Sequence, residues 1–204
     1  MGEKDLNTEE VILNAAKKVF VLKGFDGAKM QDISNEAGIN KALLHYYYRS
    51  KENLFDAVFL STLHDFLPKI GVIMNTNDPF QDRLKMIINV YIDMLQKNPH
   101  FPIFLFHEVN RNPERLVSLF KEQGKIDPKK METLINNGLR SLGKKEIKVE
   151  HLMSNILGMC LFPFIARPIL EKLFFNNDVQ LYNEFLEERR TVIYETIINF
   201  LNLN

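Results

Sequence analysis

The stretch QDISNEAGINKALLHYYYRSKENLF, from Gln31 to Phe55, carries the clearest structural signal of this chain. It contains two short runs with helical spacing of apolar residues, joined by Gly38-Ile39-Asn40. Gly38 supplies the positive φ that a tight turn needs, and Asn40 is a favoured N-cap for the second helix. Ser50 is another N-cap candidate, so a further helix is expected to start at Lys51. The stretch predicts a helix-turn-helix followed directly by a longer helix.

A helix is also expected before this stretch, because apolar residues recur there with the spacing of one buried helical face. Asn7 and Thr8 are N-cap candidates, and Gly24 is well placed to end the helix. Together with the helix-turn-helix this predicts a three-helix N-terminal domain. The expected buried face consists of Ile12, Ala15, Ala16, Val19 and Phe20.

The remainder of the chain has helical periodicity in longer and more apolar segments. Helices are expected at about 81–97, about 149–166 and about 179–201, and no alternation typical of strands is found. Pro68 and Pro168 are expected at helix ends, and the charged stretch from Lys121 to Lys130 is expected within or beside a long helical segment that continues to Leu142. The sequence thus predicts an all-α protein of about nine helices, with an N-terminal three-helix domain and a C-terminal helical body.

Composition and charge limit the function. The 26 Lys+Arg and 26 Asp+Glu give a formal net charge of zero, which argues against any function that rests on bulk positive charge. The one cysteine, Cys160, cannot form an internal disulfide, and the opening MGEKDLN lacks an apolar signal segment. The longest apolar run, residues 156–166, is too short to span a bilayer. We expect a cytoplasmic protein without a membrane partner.

The second short helix, which starts at Lys41, has unusual side chains for a surface. Leu44 and Tyr48 have the spacing to pack inward, which leaves Leu43 and two tyrosines near the surface. Such a helix suits the DNA major groove, where apolar atoms meet thymine methyls and Lys, His and Tyr reach bases and phosphates. The candidate DNA-binding residues are Lys29, Met30, Gln31, Asn40, Lys41, Ala42, Leu43, His45, Tyr46, Tyr47 and Lys51.

Lys51 is a candidate phosphate ligand for a physical reason. It lies in the first turn of a helix, where the macrodipole disfavours a cation. The free N–H groups of that turn and an ammonium converge on one place, and a DNA phosphate is the natural occupant. The segment from residue 28 to residue 51 is also net positive. Its charged residues are Lys29, Lys41, Arg49 and Lys51 against Asp32 and Glu36.

These residues resemble the N-terminal domain of TetR-type transcriptional regulators. The family pattern is a capped first helix, a glycine turn, and a second helix and turn of the form I-A-x-x-A-G-[VI]-x. A recognition helix follows, and after it come a Ser or Asn cap and a Lys. The resemblance covers about Thr8 to Phe59. The departures bear on which bases are contacted rather than on the docking mode. They are Leu43 for the usual hydroxyl, His45 for Tyr, Tyr48 for Phe, and Ala28-Lys29 for a Thr/Ser pair.

The resemblance implies a helix-turn-helix DNA-binding domain at 1–50, to which the start of the fourth helix at residue 51 contributes. It implies an effector-binding and dimerisation domain at 51–204. An apolar, aromatic cavity in that domain would suit a hydrophobic small molecule, although the same residues fill an ordinary core in the alternative interpretation. The pocket candidates are His64, Tyr91, Phe101, Phe104, His107, Met131, His151, Met159 and Phe162.

The last two helices carry apolar residues on more than one face, and the surplus over one core stripe predicts a partner surface. The resemblance implies a homodimer through these helices, which would match the two half-sites of a pseudo-palindrome. The interface candidates are Phe162, Ile165, Leu181, Phe185, Val192, Ile193 and Ile197.

Enzyme motifs fail on inspection. His107-Glu108 begins a zinc motif, H-E-x-x-H, but Arg111 stands where the second His is required. Cys160 lies in an apolar run and is predicted to be a buried small hydrophobe, not a nucleophile. We expect no catalysis, no metal and no cofactor.

The sequence therefore predicts a dimeric DNA-binding transcriptional regulator. Its partners would be a double-stranded, pseudo-palindromic DNA operator and a hydrophobic small-molecule effector that releases it as a repressor. The fourth helix would connect the effector site to the recognition helices. An alternative of another class is a helical small-molecule or lipid-binding protein, or an enzyme, with a vestigial helix-turn-helix. A further alternative is an activator that works through a protein partner.

Overall fold

The structure, a computed structural model, describes residues 3–64, 66–99, 101–122 and 127–203. The chain divides into two compact units, residues 1–65 and residues 66–204. The described residues form helices and no strands, which confirms the predicted all-α fold. The unit boundary follows the fourth helix, whereas the sequence analysis drew its boundary before that helix, at residue 50.

The N-terminal unit begins with α1 (Glu3–Gly27), in which Gly24 leaves the helical conformation at φ 67° and ψ 174°. The predicted break at Gly24 is confirmed. The predicted N-cap at Asn7 or Thr8 is wrong, because the helix already includes both residues; their short polar side chains lower helix propensity only slightly. The predicted apolar face of α1 is buried throughout, with no member more than 6% exposed.

Three more helices complete this unit, namely α2 (Met30–Glu36), α3 (Lys41–Tyr47) and α4 (Lys51–His64). Ile33 on α2 and Leu44 on α3 are fully buried. On α4, Phe55 packs edge-on against Phe20 and Phe25, with ring centroids 5.3 Å and 5.0 Å apart. This aromatic cluster joins the end of α1 to the first turns of α4.

The second unit is built around one central helix, α6 (Phe80–Lys97), which contacts α5, α9, α10 and α12. Ile88, Ile92 and Leu95 of α6 are fully buried. The other helices described in this unit are α5 (Leu67–Met74), α7 (Phe101–Arg111), α8 (Pro113–Glu122), α9 (Pro128–Ser141), α10 (Val149–Ile165), α11 (Arg167–Phe174) and α12 (Val179–Leu203).

The helices somewhat outnumber the nine predicted because prolines begin helices here. Pro68, Pro128 and Pro168 lie in the first turns of α5, α9 and α11. The N–H groups of a first turn have no intrahelical partner and proline fixes a helical φ, so proline is favoured at that place. The sequence analysis had used Pro68 and Pro168 only as signals that a helix ends.

One stretch, Lys51–Met74, is long and apolar enough by composition to cross a membrane, as the core helix of a soluble protein also is. Within it, α4 buries Leu54, Phe55, Val58 and Phe59 in the N-terminal unit. The apolar residues of α4 are therefore those of a core helix.

Candidate DNA-binding interface

The turn between α2 and α3 is closed by backbone hydrogen bonds that need a left-handed residue. Gly38 has φ 66°, Ile39 N–H donates to the carbonyl of Ser34 at 3.0 Å, and Gly38 N–H donates to that of Asn35 at 3.2 Å. This is the Schellman pattern of a helix C-terminus with glycine at C′. The glycine turn is where the sequence predicted it.

Two side-chain caps fix the helices that follow. Asn40 Oδ1 accepts a hydrogen bond from Leu43 N–H at 2.8 Å, and Ser50 Oγ accepts one from Asn53 N–H at 3.1 Å. Each cap satisfies one of the N–H groups that a helix start leaves without a backbone partner. Both predicted caps are confirmed, and they set where α3 and α4 begin.

Helix α3 has a buried side and an outward side. Leu44 is fully buried and Tyr48, which ends the helix, is 8% exposed, whereas Tyr46 is 81% exposed. Tyr46 and Tyr47 pack edge-on with ring centroids 5.5 Å apart. The exposed ring of Tyr46 and its neighbour Tyr47 thus form a small aromatic pair on the outward side of α3.

Most of the candidate DNA-binding residues are accessible to a partner. Their exposure agrees with the predicted outward face. The exposed ones are Lys29, Gln31, Asn40, Lys41, Ala42, His45 and Tyr46, and the half-buried ones are Met30, Leu43, Tyr47 and Lys51.

The two carboxylates of α2 are paired with lysines of α1. Lys23 Nζ lies 2.9 Å from Asp32 Oδ2, and Lys18 Nζ lies 3.0 Å from Glu36 Oε1. The hydrogen bond from Lys23 and a second one from the backbone N–H of Lys29 hold the pKa of Asp32 below its ordinary value. Negative charge next to the recognition helix is thereby neutralised by residues that the sequence analysis had not assigned to the site.

Lys51 does not extend freely into solvent. Its ammonium donates to the backbone carbonyls of Phe25 at 2.8 Å, Ala28 at 3.2 Å and Asp26 at 3.5 Å. It also lies 4.4 Å from the centroid of the Phe25 ring. The sequence predicts a phosphate partner for this cation, because backbone carbonyls leave no pattern from which they could be identified.

Tyr48 accounts for one departure from the family pattern. Its hydroxyl donates a hydrogen bond to Glu9 Oε1 on α1 at 2.9 Å. Burial, followed by this hydrogen bond, raises the pKa of Tyr48 above its ordinary value. The hydroxyl that a phenylalanine would lack thus ties the C-terminal end of α3 to α1.

The predicted effector-pocket residues do not share one environment. In the second unit, Tyr91 and Phe101 are buried, and Phe104, Met131 and Met159 are half-buried. His64, in the N-terminal unit, is exposed, and so are His151 and Phe162 on α10. The side chain of His107 lies outside the described residues.

The predicted dimer-interface residues are partly exposed and partly buried. Phe162 (61% exposed), Ile165, Leu181 and Val192 are exposed, and Phe185 is half-buried beside Phe175 and Tyr182. Ile193 and Ile197 are fully buried within the unit, so their assignment to a partner surface is wrong. They lie on the side of α12 that the unit uses for its own core. The sequence analysis missed exposed apolar residues on α11, namely Ile169, Leu173 and Phe174.

Cys160 is fully buried, as predicted, and burial raises its pKa to about 12. It is therefore protonated at neutral pH and is not a nucleophile. Among the described residues, no group of three or more His, Cys, Asp or Glu is placed to hold a metal ion.

Comparison with known proteins agrees with this geometry. The model of the family "Bacterial regulatory proteins, tetR family" matches residues 12–58. The HTH-type transcriptional repressor NicS of Pseudomonas putida is 27% identical over 76% of this chain and 74% of its own length. The HTH-type transcriptional regulator YhgD of Bacillus subtilis is 23% identical over 67% of this chain, which spans 64% of that relative.

A solved structure extends the likeness to most of the chain. The fatty acid degradation regulator FadR from Bacillus halodurans is 17% identical, with a TM-score of 0.69 over 95% of this chain and 96% of that one. At this identity the likeness shows the fold alone. The turn, the caps and the outward face of α3 form a helix-turn-helix, and the family model and the relative NicS are those of transcriptional regulators of this type. The match over residues 12–58 shows that α1 to α4 are similar to the DNA-binding domain of the tetR family of bacterial regulatory proteins.

Proposed function

We propose that this regulator is a homodimeric, cytoplasmic repressor that binds a pseudo-palindromic operator and is released by a hydrophobic small molecule. The N-terminal unit would read DNA through α3, and the second unit would dimerise and bind the effector. The repressing sign follows the relative NicS, which its name describes as a repressor.

The outward face of α3 is the observation that carries the proposal. It combines apolar and aromatic atoms with Lys41, while Lys29 lies just before α2. Neither lysine has a carboxylate within ion-pair distance in the described part of the chain, and Asp32, which interacts electrostatically with Lys29, is already ion-paired with Lys23. Cations outside ion pairs beside an apolar helix face are the features that phosphate positioning and base contact require together.

The test is selection of bound sequences from random double-stranded DNA. We expect a two-fold symmetric motif with half-site centres about one or more helical turns apart. Lys41→Ala should then lose discrimination at one base position, by about 1–3 kcal/mol if Lys41 contacts guanine. Lys85→Ala, which removes an exposed lysine from α6, is the matched control and should change nothing. Failure to select any motif would favour a ligand-binding protein or enzyme with a vestigial helix-turn-helix.

The dimer is supported by apolar stripes on α10 and α12. Gly158, Phe162 and Ile165 have helical i, i+4, i+7 spacing on α10, and Leu181, Phe185 and Val192 continue one side of α12. Phe162→Glu should convert a dimer into a monomer in light scattering. Phe106→Glu is the control, because Phe106 on α7 is 60% exposed and lies outside this surface. A monomeric wild type, or two variants that behave alike, would contradict the assignment.

The proposed effector is defined by its chemical class, a hydrophobic small molecule. Tyr91 stacks on Phe66 with centroids 5.2 Å apart and is 5% exposed, so the described interior near α6 is aromatic. Palmitate is a suitable first probe, since the name of FadR concerns fatty acids. We expect a lipophilic probe to raise the melting temperature and to release the operator in the same concentration range. Stabilisation without release would remove the regulatory part of the proposal.

A further inference from the structure

The ammonium of Lys51 has all of its donors occupied by backbone oxygens. An ammonium carries three N–H donors and no acceptor. Three carbonyl oxygens, those of Phe25, Asp26 and Ala28, lie within 3.5 Å of Nζ. The Phe25 ring lies against the same ammonium, with its centroid at 4.4 Å. Binding a phosphate would therefore require Lys51 to give up contacts that it already makes.

These three carbonyls belong to one short segment with a defined place in the fold. The segment starts after Gly24, where α1 breaks, and ends before Lys29, the N-cap of α2. Two of its side chains face inward, since Phe25 is 8% exposed and Ala28 is 2% exposed, whereas Asp26 is exposed. The position of this link fixes where Lys29 and the start of α2 lie.

Two side chains of α4 contact this link. Phe55 on α4 packs edge-on against Phe25 at 5.0 Å, and Lys51 on the same helix holds the carbonyls. Phe25 lies between Phe55 and the ammonium as a shared partner. Hydrogen bonds with an ionised donor are roughly twice as strong as neutral ones, so a lysine is well suited to hold several carbonyls at once.

We propose that Lys51 is a positioning residue: it fixes the link between α1 and α2 to the start of α4 and so sets the place of Lys29 on DNA. It acts through backbone carbonyls and not through a phosphate of its own. The proposal rests on the DNA-binding function proposed above, and it replaces the phosphate role that the sequence suggested for Lys51.

Lysine footprinting of the wild-type protein with an amine acetylating reagent separates the two roles. A positioning Lys51 reacts at least about tenfold more slowly than Lys29 and Lys41 in the free protein, a factor expected from even one hydrogen bond to a charged group. Operator DNA then protects Lys29 and Lys41 and leaves Lys51 as slow as before. A Lys51 that reacts as fast as Lys29 in free protein and is protected only by DNA overturns the proposal.

Variants give a second and independent measurement. Lys51→Met keeps the length of the side chain and removes its donors, and Lys29→Met is the matched variant at the candidate phosphate contact. Operator affinity is measured across a salt series. We expect Lys29→Met to reduce the magnitude of the log–log salt slope by about 0.9, the value for one phosphate. Lys51→Met should weaken binding and speed amide hydrogen exchange at residues 25–30 by about tenfold or more. Because it acts through Lys29, it should reduce the salt slope by no more than Lys29→Met does.

The outcomes also separate this proposal from the proposed function. A reduced slope for Lys51→Met with unchanged exchange at residues 25–30 would overturn the positioning role. Absence of operator binding by the wild type would contradict the proposed function, while exchange and footprinting of the free protein would still test whether Lys51 holds the backbone carbonyls. If Lys51→Met does not fold, the footprint of the wild type decides by itself.

Discussion

The hydrogen bond between Tyr48 and Glu9 gives a quantitative prediction for the recognition helix. Tyr48→Phe removes one oxygen from a side chain that is 8% exposed and leaves the ring in place. A hydrogen bond to a charged acceptor contributes about 1.5–3 kcal/mol to stability. Glu9 is half-buried, so water solvates it when the hydroxyl is gone. We therefore expect a loss near the lower end, about 1.5 kcal/mol.

A double-mutant cycle measures this contact without other effects of the substitutions. Glu9→Gln, Tyr48→Phe and the double variant are compared with the wild type by urea unfolding, followed by circular dichroism. If the two side chains act through their 2.9 Å hydrogen bond, the coupling energy should be about 1 kcal/mol. The control is Tyr46→Phe, because Tyr46 lies on the same helix but is 81% exposed. That variant should change stability by less than about 0.5 kcal/mol.

The same contact predicts how stability depends on pH. The folded protein raises the pKa of Tyr48 above its ordinary value of 10.0, through burial first and the hydrogen bond to Glu9 second. A raised pKa in the folded state means that the contribution is present below pH 10 and is lost as the pH rises through the folded pKa. Stability of the wild type should fall above pH 10 more steeply than that of Tyr48→Phe. Additive single-variant effects together with parallel pH profiles would refute this account of Tyr48.

Two further predictions concern the second unit. Gly138→Ala should destabilise it by about 1–3 kcal/mol in thermal unfolding, because the added Cβ would lie 2.7 Å from Phe80 Cδ2. Gly71→Ala on α5, where the added Cβ would meet nothing within 4 Å, should instead gain about 0.5–1 kcal/mol from helix propensity, and two equal shifts would contradict the packing argument. Cys160, with its pKa raised to about 12, should resist a disulfide reagent at pH 8 in the folded protein and react after denaturation. Rapid reaction in the folded state would show that α10 opens.

Features that depend on a few neighbouring residues could be predicted from the sequence. Gly38, Asn40 and Ser50 each act on backbone groups within a few positions of themselves, and the structure has all three in their predicted roles. The inward side of α3 followed in the same way from the spacing of Leu44 and Tyr48. These local signals were sufficient to predict the helix-turn-helix and its outward face.

Features that depend on which side of a helix meets the core could not be predicted. Helix α12 carries two apolar sides, and periodicity does not indicate which of them packs on α6. Ile193 and Ile197 belong to the core side, whereas Val192, one residue away, is 44% exposed. A rotation of about 100° per residue separates neighbours on a helix, so adjacent apolar residues are easily assigned to the wrong surface. The dimer prediction therefore mixed both sides of this helix.

The structure of the N-terminal unit indicates which cations are available to DNA in a chain whose net charge is zero. From residue 28 to residue 51 the sequence has four cations and two carboxylates, and by charge counting all four cations are available to DNA. In the structure both carboxylates pair with Lys18 and Lys23 from outside that segment, and carbonyls occupy Lys51. Three cations, Lys29, Lys41 and Arg49, remain outside ion pairs among the described residues, and Asp32, which interacts electrostatically with Lys29, is already ion-paired with Lys23. Because salt sensitivity follows the number of phosphates neutralised, each subunit should contribute about three such contacts despite the neutral chain. Backbone carbonyls leave no pattern in a sequence, so charge counting alone assigned Lys51 to DNA.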